Sequence, residues 1–424
     1  MPRRKVAIVV QVSGLILVIF TLFWRTPPGE LLGNFHRWNP SVTETPIDGT
    51  NDSSTVLSQS SVQSQIRAIL DPETRDVPRL KCPSPRMSRY GYLSAKDDRS
   101  VKGVRYFFAL NLRNCLPLLP TLLGSIVEAI RLLGPKHCAL SIVEGNSPDG
   151  TAEVLSALER ELGDWTTTHF VLSNDLDPLQ QDRFPRLAQL RNMALAPMLQ
   201  APDQYDNATV IFLNDVAICT EDILELIHQR VFQEADMTCA MDWIGGGGEN
   251  ENDKPAFYDV YIARGINGDT FFEIPPDLSW RLAQNLFWND AVSQARLRNY
   301  HPTQVFACWN GAVAFTAAPV VKRQVSFRGS NIENGECHQG EPELFCKDMW
   351  YRGHGRIAVV PSVNLEYSVE KGQYIKAVKG YTSGWTANTS PGERIEAWLP
   401  PPDNVKCMPT FDRQTWRPWN ETLE

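Results

Sequence analysis

Asn214 and Asp215 stand directly after the apolar run ATVIFL (208–213), which predicts a buried strand. Open α/β sheets bind ligands beyond the carboxyl ends of their strands, so this pair is expected at a ligand site. A carboxylate there can hold Mg²⁺ or Mn²⁺, and the cation would neutralise a diphosphate and stabilise the charge that develops as a bond to it breaks. An Asp that caps the following helix is an equally good interpretation.

A second carboxylate, Glu144, lies in the run CALSIVEG (138–145), which predicts another strand. If the two strands are neighbours, Glu144 lies beside Asp215 and is a candidate base or ribose contact. Asp149 belongs to the turn NSPDG (146–150) that follows. It is a further candidate contact, although an ordinary turn residue or a helix N-cap explains it equally well.

Three arginines, Arg183, Arg186 and Arg191, precede the strand of Asp215. One of them could bind a phosphate bidentately, but a solvated helix face explains most such arginines. Asp242 ends another strand-like run and is followed by four glycines. This glycine run lacks the Gly-Lys-Ser/Thr ending of a P-loop, and both a mobile loop and a plain linker remain open.

Glu341, Glu343 and Asp348 open a predicted helix, with Pro342 near its first position. Acids at a helix N-terminus interact favourably with the helix dipole, so a structural role accounts for them. His354, between two glycines, is a candidate metal ligand. A lone histidine beside glycines is more often structural or exposed.

The elements that position these residues alternate between strand and helix. This alternation predicts an α/β fold with a mostly parallel central sheet, wound like a nucleotide-binding domain. The second half of the chain is less regular, and its long loops are candidates for acceptor recognition. Strands are predicted at 105–112, 138–145, 169–174, 208–215, 237–243, 305–315 and 356–360.

The N-terminus predicts one membrane helix. Residues 6–24 contain no charge and span roughly 28 Å as a helix, while their bulky end argues against a cleaved signal peptide. Positive charge before the span keeps the N-terminus cytoplasmic. The Pro/Ser/Thr-rich segment after it reads as a stem or, alternatively, as an ordered cap on the domain. We expect a single-pass type II protein of the Golgi membrane, with a tail (1–5), a transmembrane anchor (6–24), a stem (25–95) and a lumenal catalytic domain (96–424).

Composition excludes some classes of partner and structure. The net charge of −8 argues against general nucleic-acid binding. Nine cysteines are too few for a disulfide scaffold, but an oxidising lumen allows some to pair, and the odd number leaves at least one free. Cys337 and Cys346 are the expected pair. Cys219, Cys239 and Cys308 lie in apolar runs and are expected to be buried free thiols.

Three segments, EGNSPDGT, RLAQLRNMALA and VIFLND, follow one another in an order and at spacings that resemble GT-A glycosyltransferases. Further segments resemble the fungal capsule-associated α-1,3-mannosyltransferase family, and the similarity covers roughly residues 100–370. One departure is clear, because the GT-A pattern has acids on both sides of its central residue and this chain reads Asn214-Asp215-Val216. The further segments are FYDVYIARGINGDTFF (257–272), VFACWNGAVAF (305–315) and ELFCKDMWYRGHGRIAVVPSVNLEY (343–367).

The resemblance implies a GT-A-like nucleotide-sugar-binding fold, a nucleotide-sugar donor with GDP-mannose favoured, a glycan acceptor, and Mn²⁺ or Mg²⁺ as cofactor. It also implies roles for residues, with Trp309 open to a second interpretation as a core residue. Matching positions make Glu144, Arg191 and Asp215 donor contacts, Asp215 a metal ligand, and Glu343 or Asp348 a catalytic acid. The residues themselves add further candidates: Asp149 and Asn214 as donor contacts, His354 as a metal ligand, and Asp259, Arg264, Trp309 and Asn310 as acceptor contacts.

The expected activity is therefore metal-dependent transfer of mannose from GDP-mannose to a glycan hydroxyl, in synthesis of a cell-surface or capsule polysaccharide or glycoconjugate. An α-1,3 product from an α-linked donor means retention of configuration. Three alternatives stay open from the sequence: a UDP-sugar glycosyltransferase, a glycoside hydrolase with two carboxylates, and a non-catalytic lumenal glycan-binding protein.

Overall fold

The computed structural model describes residues 57–94, 103–163, 165–174, 176, 183–245, 254–387 and 392–423. The predicted tail, the predicted membrane helix at 6–24 and the first part of the predicted stem lie outside the described residues. Within the described part, one helical stretch, Leu116–Leu133, is long and apolar enough to cross a membrane, and 72% of it is buried in the protein. That burial identifies it as a core helix.

Runs of aromatic, aliphatic and β-branched residues form the strands, and nearly all of these residues are buried. The strands of the main sheet, in chain order, are β1 (Tyr106–Leu112), β2 (Cys138–Glu144), β3 (Thr167–Val171), β4 (Thr209–Leu213), β5 (Met237–Ile244), β6 (Ala256–Phe257), β7 (Arg264–Gly265), β8 (Thr303–Ala307), β9 (Ala312–Thr316) and β10 (Ile357–Leu365). A separate hairpin follows, of β11 (Asn404–Thr410) and β12 (Arg413–Pro418).

The sheet is mixed, with parallel strands predominating. Its described strands run in the order β3-β2-β1-β4-β9-β5-β10-β8-β7, and β6 pairs with β5. Strands β3, β2, β1 and β4 are parallel to one another, and β5 is parallel to β10. Strand β9 is antiparallel to both β4 and β5, so β4, β5 and β10 point the same way. The prediction of an α/β fold with a mostly parallel central sheet is confirmed.

Helices cover both faces of the sheet, as the buried strands require. Tyr106, Phe108 and Leu110 of β1 point to one face, whereas Phe107 and Ala109 point to the other. The principal helices are α1 (Gln59–Leu70), α2 (Leu119–Leu133), α3 (Thr151–Leu162), α4 (Arg183–Gln200), α5 (Thr220–Phe232), α6 (Ala291–Arg298), α7 (Glu341–Tyr351) and α8 (Val369–Lys379).

Residues 57–94 form the ordered cap that was the alternative to a stem. Helix α1 buries Ile66, Ala68 and Ile69 against the domain. The backbone N–H of Leu80 donates to Thr121 Oγ1 at 3.0 Å. Cys82 is joined by a disulfide to Cys219. The expectation of a stem extending to residue 95 therefore does not hold for this segment, because its apolar side chains pack on α2 and α3.

Two expectations for the cysteines are wrong, because Cys337 does not pair with Cys346, and Cys219, Cys239 and Cys308 are not free thiols. The structure joins Cys82 to Cys219, Cys239 to Cys308, and Cys337 to Cys407. The chain folds the C-terminal hairpin back onto Cys337, whereas Cys346 lies on the buried face of α7 with its Sγ 3.5 Å from the Cys308 carbonyl oxygen. The expectation that at least one cysteine stays unpaired is confirmed, since Cys115, Cys138 and Cys346 are buried free thiols.

Candidate functional site

The carboxyl ends of β1, β2, β4, β5 and β10 lie along one edge of the sheet, here called the carboxyl edge. Glu144 ends β2, Asp215 follows β4, and Asp242 lies near the end of β5. Strand β1 lies between β2 and β4, so Glu144 and Asp215 share an edge but are two strand spacings, roughly 10 Å, apart. Ligands of α/β sheets bind at such an edge, and the candidate site is built here.

Asp215 is a partly exposed acid of this edge. Burial of its carboxyl raises its pKa to about 6, against the opposing positive charge of Arg191. The alternative role as a helix cap belongs to another residue, because Asp222 Oδ2 accepts the N–H of Cys219 at 2.9 Å at the start of α5. A desolvated carboxylate with little compensation is the kind of group that a bound cation stabilises.

Arg191 holds the segment that carries Asp215. Its Nε donates to Glu341 Oε1 at 2.9 Å, and its Nη1 lies 3.5 Å from Asn214 Oδ1. Asn214 Oδ1 also accepts from Trp309 Nε1 at 3.0 Å. The guanidinium lies 4.4 Å from the centre of the Trp309 ring. Arg191 is therefore a buried positioning residue whose positive charge reaches Asp215.

The sequence left two interpretations of Trp309, an acceptor contact and a core residue, and the structure supports the core residue. It is 1% exposed, and its ring packs against Phe212, Phe327 and Phe345. A sugar has no access to either face of this ring. Its indole N–H nevertheless supports the site through Asn214.

The turn after Trp309 links the two halves of the site. Asn310 (φ 53°) and Gly311 (φ 80°) both adopt left-handed backbone, which an Asn-Gly pair tolerates best. The Gly311 carbonyl accepts the N–H of Asn214 at 2.9 Å. The N–H of Asn310 donates to Asp259 Oδ2 at 2.9 Å, and its side-chain amide donates to the Ala240 carbonyl at 2.8 Å.

Asp259 lies beside a second acid, Asp242, which sequence reasoning did not assign to the site. Asp242 Oδ1 accepts the N–H of Asp259 at 3.3 Å, and Oδ2 accepts the hydroxyl of Tyr367 at 2.5 Å. Burial raises the pKa of Asp242 to about 7, and burial together with the charge of Asp242 raises the pKa of Asp259 well above its ordinary value. Both carboxyls therefore hold a proton more strongly than an ordinary aspartate does. A polar residue that ends a strand-like apolar run was the signal for Asp242.

Glu144 and Asp149 hold the turn after β2. Glu144 accepts the N–H groups of Asn146 at 2.7 Å and Ser147 at 3.0 Å, together with the Ser147 hydroxyl. Asp149 accepts the N–H of Leu116 at 3.0 Å, and both the N–H and the hydroxyl of Thr151. These bonds fix the loop at the start of α3 as an Asx-type turn does. A donor contact from either residue stays a prediction.

Arg264 and Glu343 form a fully buried ion pair away from solvent. Their Nη2 and Oε2 atoms are 3.3 Å apart, at 0% and 1% side-chain exposure. Arg264 also donates to backbone carbonyls, including that of Lys406 at 2.9 Å. Burial raises the pKa of Glu343 to about 7, opposed by the charges of Arg264 and Lys347. Both side chains are thus enclosed in the protein, where Arg264 joins β7 to α7 and to β11.

Asp348 is engaged in a bidentate ion pair. Arg328 donates from Nε and Nη2 to its two oxygens at 2.7 and 2.9 Å. The same guanidinium binds Glu336, which also pairs with Lys347 at 2.7 Å. This network accounts for the acid in structural terms, and a catalytic role for it stays a prediction.

His354 lies at the amino ends of the parallel strands, whereas Asp215 lies at their carboxyl ends. It precedes β10, and its Nδ1 is 3.3 Å from Oδ1 of Asp236, the residue before β5. The structure therefore does not bring His354 to Asp215, because the two residues stand at opposite ends of parallel strands. Among the described residues, no group of three or more His, Cys, Asp or Glu side chains is arranged to hold a metal ion.

Comparison with known proteins identifies the chain. Residues 105–348 match the model of a family described as "Cryptococcal mannosyltransferase 1". The chain is 34% identical over 337 residues to the alpha-1,3-mannosyltransferase CMT1 of Cryptococcus neoformans, covering 75% of this chain and 70% of that protein. The chain belongs to this family of mannosyltransferases. The prediction that it is a glycosyltransferase is therefore confirmed.

Solved structures show weaker likeness. The TarS 1–349 fragment of S. aureus has a TM-score of 0.35 and 13% identity, covering 68% of this chain and 67% of that one. The mannosyltransferase PcManGT of Pyrobaculum calidifontis, solved with GDP-Man and Mn²⁺, has a TM-score of 0.37 and 11% identity, covering 75% and 68%.

Proposed function

We propose that this chain is a GT-A glycosyltransferase that moves mannose from GDP-mannose to a hydroxyl of a glycan, forming an α-1,3 linkage with a divalent cation as cofactor. The observation that carries the proposal is the position of Asp215. In a chain of this mannosyltransferase family, a partly exposed acid two residues beyond the end of strand β4 stands at the edge where α/β sheets bind nucleotides.

The residues around Asp215 suit a cation that is shared with the donor. Asp215 offers a desolvated carboxylate, and its pKa of about 6 reflects a charge with little compensation. Mg²⁺ is commonly held by one or two carboxylates together with substrate phosphates and water, so a single acid is sufficient. When bound, the cation would neutralise the diphosphate and stabilise the leaving group. His354, at the other edge of the sheet, is left out of this site.

The chain's own residues orient the reacting groups. Arg191 and Trp309 hold the Asn214 amide, and through it they fix the backbone on which Asp215 is carried. Asp259 is held through Oδ2 by the Asn310 N–H and supported by Asp242. We assign Asp259 to the acceptor side, where its other oxygen can meet a sugar hydroxyl. Such preorganised groups lower the cost of assembling the reactants.

Transfer with retention does not depend on either of the two acids that the resemblance marks as catalytic. Among the described acids, Glu343 is enclosed in its ion pair with Arg264 and Asp348 is bound by Arg328. We propose that the proton of the acceptor hydroxyl passes to the departing phosphate oxygen as the new bond forms. The donor sugar then keeps its α configuration. A dedicated general base is not required in this scheme.

We also propose a cellular setting for the enzyme. A transmembrane helix at 6–24 would anchor the enzyme in the Golgi membrane with its catalytic domain in the lumen, facing polysaccharide or glycoconjugate acceptors. The three disulfides are in keeping with an oxidising compartment. GDP-mannose would then have to be imported into the lumen.

The test is a transfer assay with the purified full chain, Mn²⁺ and a mannose-terminated oligosaccharide, comparing GDP-mannose with UDP-sugars. We expect mannose transfer from GDP-mannose alone, with an α-1,3 linkage by NMR of the product. Transfer only from a UDP-sugar would refute the donor assignment. Release of free sugar from the oligosaccharide without nucleotide would indicate a hydrolase, and a protein that binds glycans without turnover would indicate a lectin.

A further inference from the structure

Tyr258 is a large aromatic side chain left partly open at the carboxyl edge. It is 44% exposed, whereas the aromatic rings of Trp309 and Phe212 beside the site are buried in the core. An exposed aromatic ring beside hydrogen-bonding acids is a surface on which a sugar ring can stack, with its hydroxyl groups bonded from the side.

The ring of Tyr258 is held in place from below. Its backbone N–H donates to the Asp242 carbonyl at 3.1 Å. Its ring meets that of Tyr367 edge-on, with centroids 5.1 Å apart and planes at 67°. The Tyr367 hydroxyl is in turn bonded to Asp242 at 2.5 Å. The platform is therefore fixed to the Asp242–Asp259 pair and loses little conformational freedom when a ligand binds.

Tyr258 lies far along the sheet from Glu144, which is the candidate contact to the ribose of the donor. Glu144 lies on β2, Asp215 after β4 and Asp242 on β5, with β1 and β9 between them. Each gap is two strand spacings, so the acids are spread at intervals of roughly 10 Å. Tyr258 is bonded through its backbone to Asp242 and directly precedes Asp259 in the chain. It thus lies on the side of Asp215 that is remote from Glu144.

We propose that Tyr258 is the stacking platform for the acceptor sugar, beside Asp259. This proposal rests on the proposed function, because it takes Asp215 as the donor position and a glycan as the acceptor. Tyr258 acts on binding of the acceptor and does not touch the bond that breaks. A pyranose ring on this platform presents its hydroxyl groups to the Asp259 carboxyl.

The test measures steady-state kinetics of Tyr258→Leu and Tyr258→Phe, with Tyr92→Leu as a matched control. Tyr92 is 51% exposed and lies in the cap, where its hydroxyl bonds His228 at 2.9 Å. We expect Tyr258→Leu to raise the acceptor KM about tenfold or more, with the donor KM within about twofold of wild type. Tyr258→Phe keeps the ring and should stay within about threefold of wild type. Tyr92→Leu should leave both constants unchanged.

A second readout separates this proposal from the proposed function. Slow hydrolysis of GDP-mannose without acceptor is expected at the wild-type rate in Tyr258→Leu, because the donor site is intact. An unchanged acceptor KM in Tyr258→Leu would overturn the platform, and a donor KM raised by the same factor as the acceptor KM would move Tyr258 to the nucleotide. Absence of both transfer and hydrolysis in the wild type would instead refute the proposed function.

Discussion

Replacing Asp242 by Asn is expected to stabilise the fold at neutral pH while weakening transfer. Burial raises the pKa of Asp242 from 3.8 to about 7, so the folded protein keeps a proton there that the unfolded chain releases near pH 4. Because the folded state binds more protons over this range, this group makes stability fall as the pH rises from about 4 to about 7. Raising this pKa to about 7 lowers the stability of the fold by roughly 4 kcal/mol above pH 8, and more than half of this loss falls between pH 5 and pH 8.

The assay is urea unfolding of wild type and Asp242→Asn at pH 5 and pH 8, with Asp277→Asn as the control for removing an acid that is 60% exposed. We expect the free energy of unfolding of the variant, relative to that of wild type, to increase by on the order of 2 kcal/mol from pH 5 to pH 8. The control should follow wild type. Equal destabilisation of Asp242→Asn at both pH values would refute the reasoning, since it would mean that the carboxyl is charged and favourably bonded in the fold.

The same variant should transfer mannose at a lower maximal rate and with a shifted pH dependence. The amide that replaces the Asp242 carboxyl would keep one acceptor for the Tyr367 hydroxyl or the Asp259 N–H and lose the other. Asp259 would then titrate without a like-charged neighbour, so its pKa should fall. The expected signature is a pH–activity profile moved toward acid, recorded as kcat/KM for the acceptor. An unchanged profile would contradict an effect of the Asp242 charge on the pKa of Asp259.

Three further variants test individual placements. His354→Ala should leave the Mn²⁺ concentration for half-maximal activity within about twofold of wild type, because His354 lies at the opposite edge of the sheet from Asp215; an increase of about tenfold would return it to the metal site. Asp348→Asn should lower thermal stability through loss of its Arg328 pair by about 1–3 kcal/mol, while kcat of the folded enzyme is retained. Cys308→Ala removes a disulfide that closes a loop of 69 residues. The fold should lose about 4 kcal/mol of stability, measured as a melting temperature below that of wild type.

The sequence predicts the parallel part of the fold because that part is local. Each βα unit pairs an apolar run with an amphipathic helix, and the polar residue that ends the run marks the edge of the sheet. Glu144 and Asp215 were found in this way. Strand β9 lies antiparallel between β4 and β5 because of long-range pairing. No periodicity in the sequence predicts this position.

The roles of single acids and arginines depend on partners that are distant in the chain. Arg191 meets Glu341, and Asp348 meets Arg328, so the structure uses both as internal ion pairs. Asp242 is bonded by the hydroxyl of Tyr367, which lies 125 residues further along the chain. The prediction of the disulfide pairing is wrong for the same reason. The fold decides which thiols come close enough to bond, and their spacing in the sequence does not.

The central claim, that Asp215 forms the metal-dependent donor site, is tested most directly by thermal unfolding of the purified full chain with GDP-mannose. For wild type with Mn²⁺, a donor concentration about a hundredfold above Kd should stabilise the fold by about 2.7 kcal/mol, and removal of Mn²⁺ should abolish most of this. Asp215→Asn, folded and of similar melting temperature without ligand, should show no Mn²⁺-dependent stabilisation by the donor. Full Mn²⁺-dependent stabilisation of Asp215→Asn would contradict the account.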